Sequence, residues 1–365
     1  MSLPNAFRAY RIHAQGDSAR GRIDDIGLGD LSAGDIVVKT AYSSVNYKDA
    51  LAGSGQGKIL RRYPLVGGID VAGHVVQSED PRFKEGDAVL VTGCGLSETR
   101  DGGYGEYARI ESKWAIPLPG GLSLREAMVL GTAGFTAALS LYRMEANGQT
   151  PEMGPIVVTG ATGGVGMLAI DLLTSAGYEV HAITGKADQF DALIALGARQ
   201  CIARKELLWG QRPLETARWA GAVDNVGGDM LAGLTRVIHP YGNIASCGLA
   251  ASAELHTTVM PFIIRGVSIL GVASAGTAYN IRRTLWERLA TMWKPKHLET
   301  ILTRTVGLDE LDGVFATMLA GGSFGRRATG GGEFAVEAAM AARAYGAPAP
   351  VKLMWTREDD LTGGF

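Results

Sequence analysis

Two periodicities divide the chain. Up to about residue 124 the apolar residues come in short runs, IVVKTAYSSV, DVAGHVVQS, DAVLVTG and YGEYARI, parted by clusters of Gly, Pro and Asp. That is the pattern of short strands joined by turns, and it predicts a β-rich, barrel-like domain. Between Ser123 and Met144 the period changes. Leu124, Ala127, Met128, Leu130, Ala138, Leu139 and Leu141 recur at helical spacing around a break at Gly131 to Gly134, with Ser123 and Glu126 placed as a capping box. From Pro155 onward, apolar strands (PIVVTG, EVHAIT, QCI, GAVDNVGG, NIASCG) alternate with helical segments (GGVGMLAIDLLTSAG, ADQFDALIALGA, MLAGLTRVI). Alternation of this length implies right-handed crossovers and a parallel sheet covered on both faces, a doubly wound α/β domain of the Rossmann type. A further strand, VSILGVAS, and the helical segments YNIRRTLWERLATMW and LDELDGVFATMLA are expected to return the chain to the first domain. The predicted divisions are 1–124 for a substrate and catalytic domain, 125–265 for the Rossmann domain, 266–325 for the return, and 326–365 for a tail of different character.

The first strand of the alternating half breaks into Gly160, Gly163, Gly164 and Gly166 before its helix begins. Glycines there let the chain turn tightly, let phosphates approach the backbone, and let helix pack on strand, while the helix N-terminus offers free N–H groups to an anion. The spacing is G-x-x-G-x-x-G, so the plain G-x-G-x-x-G pattern is not met, and a purely structural turn remains the alternative. About twenty residues on, the strand YEVHAIT ends in Thr184, Gly185 and Lys186. A site for NAD usually carries an acid at that point to hold the ribose 2′-hydroxyl; a hydroxyl, a flexible glycine and a cation suit a 2′-phosphate, so NADPH is the expected cofactor. The alternative for Lys186 is a solvated residue opening the next helix.

Composition narrows the class. The 365 residues suffice for two domains, and 46% apolar with 20% charged residues is globular. A net charge of −2 with interspersed signs gives no general affinity for nucleic acid. No apolar run is long enough to span a membrane, and the N-terminus MSLPNAFRAY lacks the layout of a signal peptide, so a cytoplasmic protein without a membrane partner is expected. Cys94, Cys201 and Cys247 are widely spaced and cannot form a disulfide framework or a four-cysteine zinc site. The six histidines, at 13, 74, 181, 239, 256 and 297, show no paired ligand spacing, and no metal is expected.

Taken in order, SVNYKDAL (44–51), GGIDVAG (67–73), DGGYGEY (101–107), GATGGVG (160–166), TGK (184–186), AVDNVGG (222–228) and MPFIIRGVSILGV (260–272) resemble the medium-chain dehydrogenase/reductase superfamily. Within it they are most similar to the zinc-free acrylyl-CoA reductase branch, historically labelled quinone oxidoreductases. The likeness runs from residue 6 to about 326. It implies a GroES-like β-barrel domain beside the Rossmann domain, and a homodimer formed through the Rossmann sheet edge. Zinc-dependent relatives carry a ligand cysteine near Ser43 to Asn46 and a His–Glu pair near Ile69 and Asp70, which this chain lacks. The resemblance places the cofactor against Tyr47, Gly160, Thr162, Gly163, Gly164, Val165, Gly166, Thr184, Gly185 and Lys186, and by local alignment against Arg204, Leu249, Ile263 and Ser274. For Leu249 and Ile263 the alternative is core packing, and for Tyr47 a barrel-edge aromatic.

What the resemblance implies chemically is hydride transfer from NADPH to the β-carbon of an activated alkene, with a proton added at the α-carbon. Negative charge then grows on the thioester or ketone oxygen, which calls for donors aimed at it. Tyr47 is the candidate that orders the nicotinamide or acts as acid, since a phenol titrates near pH ~10; Asn46 and Lys48 are its local alternatives, and solvent is a second proton source. Asp70 is expected beneath the site or as a carboxylate buried against N–H groups. For a CoA thioester, Lys58, Arg61 and Arg62 are candidate phosphate contacts, with solvated surface as the alternative. A quinone or 2-alkenal reductase shares the NADPH site and differs in the acceptor pocket, and a non-enzymatic NADPH-binding protein is the reading from another class.

Beyond Gly325 the family's ending does not appear. The run GGSFGRRATGGGEFAVEAAMAARAYGAPAPVKLMWTREDDLTGGF resembles a fragment of the molybdopterin-binding subunit of molybdenum hydroxylases. About forty residues cannot enclose a molybdopterin, so no molybdenum chemistry is inferred. FAVEAAMAARAYG has helical propensity, and VKLMWT is a strand candidate that either replaces the family's last strand or leaves that edge open.

Overall fold

A computed structural model describes residues 3–320 and the backbone of 351–353. The described residues form two compact units: one holds those up to Thr132, Ala275–Ala290 and those from Leu298 onward, the other Ala133–Ser274 and Thr291–His297.

The first unit is the β-rich one. Phe7–Gln15 and Ser18–Ile26 form an antiparallel hairpin extended by Leu65–Val66. A second sheet runs Arg304–Val306, Val351–Leu353, Ile36–Val45, Asp70–Ser78, Ala88–Thr92, Ile116–Pro117, with Tyr107–Ile110 also pairing Ile36–Val45. Alternation along these strands buries two apolar clusters. One lies around Tyr10, Ile12, Leu65, Tyr104 and Phe315; the other lies around Ile36, Val38, Val71, Val91 and Ile110. The expected strand at VKLMWT is present as Val351–Leu353, parallel to Ser43–Val45 and antiparallel to Arg304–Val306. The expected helix at FAVEAAMAARAYG lies outside the described residues.

The run from Ser123 is helical over Leu124–Ala146 with its break at Gly131, where φ 48° and ψ −153° leave the helical region. Ser123 and Glu126 make the expected box: the Ser123 N–H donates to Glu126 Oε2 at 2.8 Å, and the Glu126 N–H donates to Ser123 Oγ at 3.1 Å.

The second unit holds six strands, all parallel, in the order Gln200–Ala203, Val180–Thr184, Ile156–Val158, Trp219–Asp224, Ile238–Ser246, Ser268–Gly271. Helices Gly164–Ser175 and Gly228–Val237 supply two of the crossovers. The strand read from VSILGVAS does not return to the barrel. Its strand portion, Ser268–Gly271, pairs beside Asn243–Ser246, and the chain re-enters the first unit at Ala275. The short helix Met260–Arg265 explains this, because it makes the crossover that a parallel neighbour requires.

Candidate functional site

In the six-strand sheet the order reverses between Ile156–Val158 and Trp219–Asp224, and ligands of open α/β sheets bind outside the strand ends at such a point. The glycine turn lies there. Gly160 has φ 56°, a conformation that penalises any residue with a Cβ. A Cβ added to Gly166 would stand 2.8 Å from the Ala161 Cα, so helix Gly164–Ser175 approaches the turn closely only because Gly166 has none. Gly163 is the N-cap, no side chain caps it, and the first helical bond runs from the Met167 N–H to the Gly163 carbonyl. The N–H groups of Gly164, Val165 and Gly166 therefore point off the helix end, where the dipole favours an anion.

Beside this turn Val180–Thr184 ends in the expected triplet. Thr184 Oγ1 lies 3.2 Å from Thr162 Oγ1 and accepts the Lys186 N–H at 3.1 Å, while the Ala161 N–H donates to the Ile183 carbonyl. Thr162, Thr184 and Lys186 are thus joined into one ledge. Arg204 opens the turn after Gln200–Ala203 and lines a cavity of about 430 Å³ with Trp209, Val226, Gly228, Met230 and Ser252. Leu249 and Ile263 are 66% and 69% exposed, so neither packs in the core. Ser274 begins a short turn, Ser274–Gly276. Thr184 itself is wholly buried and its hydroxyl is spent on Thr162 and the Lys186 N–H, so it shapes the ledge from beneath, a correction to its expected role as a direct contact. What remains fits a dinucleotide with a 2′-phosphate: amide donors at the turn, Gly185 and the Lys186 cation at the end of the second strand, and no carboxylate in Thr184–Lys186.

Sequence reading missed what holds the turn rigid. Asp224, fully buried at the end of its strand, accepts from Thr159 Oγ1 (2.7 Å), the Gly227 N–H (2.9 Å) and the Val226 N–H (3.3 Å). Asn225 Nδ2 donates back to the Thr159 carbonyl at 2.7 Å. Burial raises the Asp224 pKa, and these donors oppose the rise. The available signal was an acid closing the apolar run WAGAVD.

The other candidates lie in the β-rich unit. Helix Tyr47–Ser54 starts at Asn46, whose N–H donates to Asp49 Oδ2 in a capping box. Asn46 Nδ2 reaches Asp49 Oδ2 (3.1 Å), Asp70 Oδ2 (3.2 Å) and Ser44 Oγ (3.0 Å). The amide therefore spaces two carboxylates, and its N–H groups are engaged inside the protein. Asp70, wholly buried, also accepts from Ser44 Oγ, the Thr132 N–H (2.8 Å) and Thr132 Oγ1 (2.5 Å). Asp49, equally buried, accepts the Ile69 N–H at 2.9 Å. Burial, reinforced by the charge of Asp70, pushes Asp49 up to about 7; burial likewise raises Asp70 against its donors. Tyr104, buried among them, donates to the Ser44 carbonyl at 3.1 Å. Asp70 thus meets the N–H-bonded carboxylate alternative, and Asp49 is the partner that sequence reading did not single out.

Tyr47 is half-buried against the apolar cluster around Tyr10 and Leu65. Lys48 pairs with Glu98, and burial lowers its pKa. Lys58, Arg61 and Arg62 are exposed; Arg62 Nη2 donates to Ser32 Oγ at 2.6 Å, and the Arg61 N–H to the Glu98 carbonyl at 2.7 Å. Among the described residues no group of three His, Cys, Asp or Glu is placed to hold a metal. Ser43, Ser44 and Asn46 offer no thiolate, and the Asp70 oxygens are taken by internal donors, so these residues do not fit a zinc ion.

A GroES-like β unit and a parallel nucleotide-binding sheet with a glycine turn at its switch point define a medium-chain dehydrogenase/reductase. Family models agree: the alcohol dehydrogenase GroES-like domain matches residues 32–120, and the zinc-binding dehydrogenase family matches residues 164–291. The chain belongs to the medium-chain dehydrogenase/reductase family and is an oxidoreductase. It is 46% identical to the putative quinone oxidoreductase YhfP of Bacillus subtilis, over 87% of this chain and 96% of that one. It is 43% identical to the acrylyl-CoA reductase AcuI of Ruegeria pomeroyi, over 88% and 98%. The crystal structure of YhfP with NAD bound superposes with a TM-score of 0.85, covering 87% of this chain and 97% of that one. The YhdH oxidoreductase of Salmonella enterica in complex with NADP superposes at 0.81 with 37% identity, covering 95% and 99%.

Lys186→Ala is expected to weaken NADPH binding roughly 10- to 100-fold, the worth of one charge-assisted hydrogen bond, with NADH nearly unaffected. Titration calorimetry with both cofactors checks it, and equal losses would remove Lys186 from the 2′-phosphate.

Proposed function

We propose that the chain reduces the C=C bond of an activated alkene with NADPH, with acrylyl-CoA as acceptor and propionyl-CoA as product, and without a metal. The observation that carries the reading is the ledge of Thr162, Thr184 and Lys186 beside the glycine turn, which suits a phosphorylated ribose. The name borne by the AcuI relative supports the thioester. In this reading residues 125–265 hold the cofactor, and the β-rich unit presents the alkene.

When bound, NADPH supplies the hydride. The amides of Gly164, Val165 and Gly166 would hold its pyrophosphate, Lys186 its 2′-phosphate with Thr184 supporting that ledge from beneath, and Arg204, Leu249, Ile263 and Ser274 would line its remaining length. Tyr47, first residue of its helix, donates from its phenol toward the nicotinamide or the substrate carbonyl, where negative charge develops. Asn46, Asp49 and Asp70 set the start of that helix from beneath rather than reaching the substrate. Lys58, Arg61 and Arg62 are the exposed cations proposed for the CoA phosphates; Arg62 keeps its charge and further N–H donors while one of them meets Ser32.

The protein is proposed to act in the cytoplasm as a homodimer, with the apolar and exposed Val259 and Ile264 meeting a second copy beside the edge strand Ser268–Gly271. Among the described residues no helix is long and apolar enough to cross a membrane.

The deciding experiment is turnover of acrylyl-CoA against simple enones and quinones at saturating NADPH. A preference for the thioester is expected. A preference for quinones would give the site the activity named for the YhfP relative. Tyr47→Phe is expected to lower kcat roughly tenfold or more while leaving the melting temperature in place; unchanged kinetics would make Tyr47 a packing residue.

A further inference from the structure

Arg282, in helix Tyr279–Ala290, is 1% exposed and is the one charged member among the largest fully buried side chains of the described residues. A guanidinium in such a place is tolerated only if its N–H groups are met, so its acceptors show what it organises. Nη1 donates to both the Thr92 carbonyl (2.8 Å) and Thr92 Oγ1 (2.9 Å), and Nη2 to the Ala275 carbonyl (3.4 Å). The Cys94 N–H donates to that same Ala275 carbonyl at 3.3 Å. Gly93, at φ 68°, lets Ala275 approach so closely that an added Cβ would stand 3.0 Å from the Ala275 Cα.

Each end of this clamp adjoins a candidate residue in sequence or register. Thr92 closes the strand Ala88–Thr92 and is the register partner of Asp70. Ala275 is the residue at which the chain re-enters the β-rich unit, directly after Ser274. One planar cation thus fixes the strand beside the buried carboxylates and the turn that follows a candidate cofactor contact. A lysine has one nitrogen in place of two forked ones and cannot hold both carbonyls in this geometry.

We propose that Arg282 is a positioning residue for the reduction, locking Ala275 to the strand end beside Asp70 within the β-rich unit; this rests on the function proposed above. The test uses the full chain with Arg282→Lys and with Thr92→Val, an isosteric change that removes one acceptor while leaving the guanidinium in place. Amide hydrogen exchange is followed at residues 92–96 and 275–278, alongside steady-state kinetics. The expected result is exchange about tenfold faster at those amides. For Arg282→Lys, kcat at saturating substrates is expected to fall about tenfold or more while KM for NADPH moves less than about threefold. Thr92→Val is expected to change both readouts in the same direction by less, and it carries the test if Arg282→Lys does not fold. Faster exchange with kcat unchanged would make the clamp merely structural and overturn the proposal. Unchanged exchange in a folded variant would overturn the clamp alone, whereas a wild-type chain that oxidises no NADPH with any acceptor would overturn the reduction itself.

Discussion

Replacing Gly166 by valine is expected to abolish NADPH binding. The new Cβ would stand 2.8 Å from both the Cα and the carbonyl oxygen of Ala161, and closer still to the Gly160 carbonyl. All of these are backbone atoms, which cannot turn aside as a flexible side chain can. The helix must back away from the turn, and the N–H groups of Gly164 and Val165 leave the position from which they meet a pyrophosphate. Loss of two or three charge-assisted bonds at ~1.5–3 kcal/mol each exceeds a hundredfold in affinity. Calorimetry on a variant whose circular dichroism matches the wild type would show it, and retained micromolar binding would move the pyrophosphate elsewhere. Gly177→Ala is a useful control, because that glycine has open space around it, although its φ of 89° also introduces strain.

The β-rich unit is expected to lose stability as pH rises from about 4 to 7. Asp49 is held near 7 in the folded chain by burial and by the charge of Asp70, whereas an unfolded aspartate titrates near ~3.9. Between those values the folded state binds more protons than the unfolded one, so unfolding free energy declines with rising pH and levels off above the folded value. The stabilising proton on Asp49 is fully present below the unfolded titration and is lost as pH rises through the folded one. Asp70 and, in the other unit, Asp224 are raised by burial and act with the same sign. Carboxylates held low by their partners, such as Asp24 and Asp35, act oppositely but only below the ordinary carboxylate range. Denaturant titrations at pH 5 and pH 8 measure the slope. Asp49→Asn removes this titration but leaves fewer acceptors for the Asn46 and Ile69 N–H groups, so it should be weaker than wild type at pH 5, with the gap narrowing toward pH 8. A wild-type profile without decline would refute the buried protonated carboxylate.

The nucleotide half was legible because its chemistry is local. Gly160 through Gly166, and Thr184 through Lys186, are each a few consecutive residues whose types answer a backbone or charge requirement directly. The carboxylate network was legible only in part, because Ser44, Asp49, Asp70, Tyr104 and Thr132 come from scattered segments and become neighbours only when the strands pair. Asp70 stood out through the family likeness, and Asp49, two residues after Tyr47, did not. Arg282 was hidden for a different reason. In YNIRRTLWERLATMW arginines are what an exposed helix face carries, and which of Arg282 and Arg283 turns inward depends on what packs against the helix. The strand Ser268–Gly271 was recognised as a strand but assigned to the wrong sheet, since four residues of β-type sequence carry no address.

The strand Val351–Leu353 is joined to Ser43–Val45 and Arg304–Val306 through main-chain groups, which are the same whatever the ancestry of the segment supplying them. A sheet can therefore be completed by any stretch whose carbonyls and amides fall at the required spacing. For work at the bench, shortening this protein to the length of its relatives would strip a middle member from a β-layer, and a purification handle is better fused at the opposite terminus.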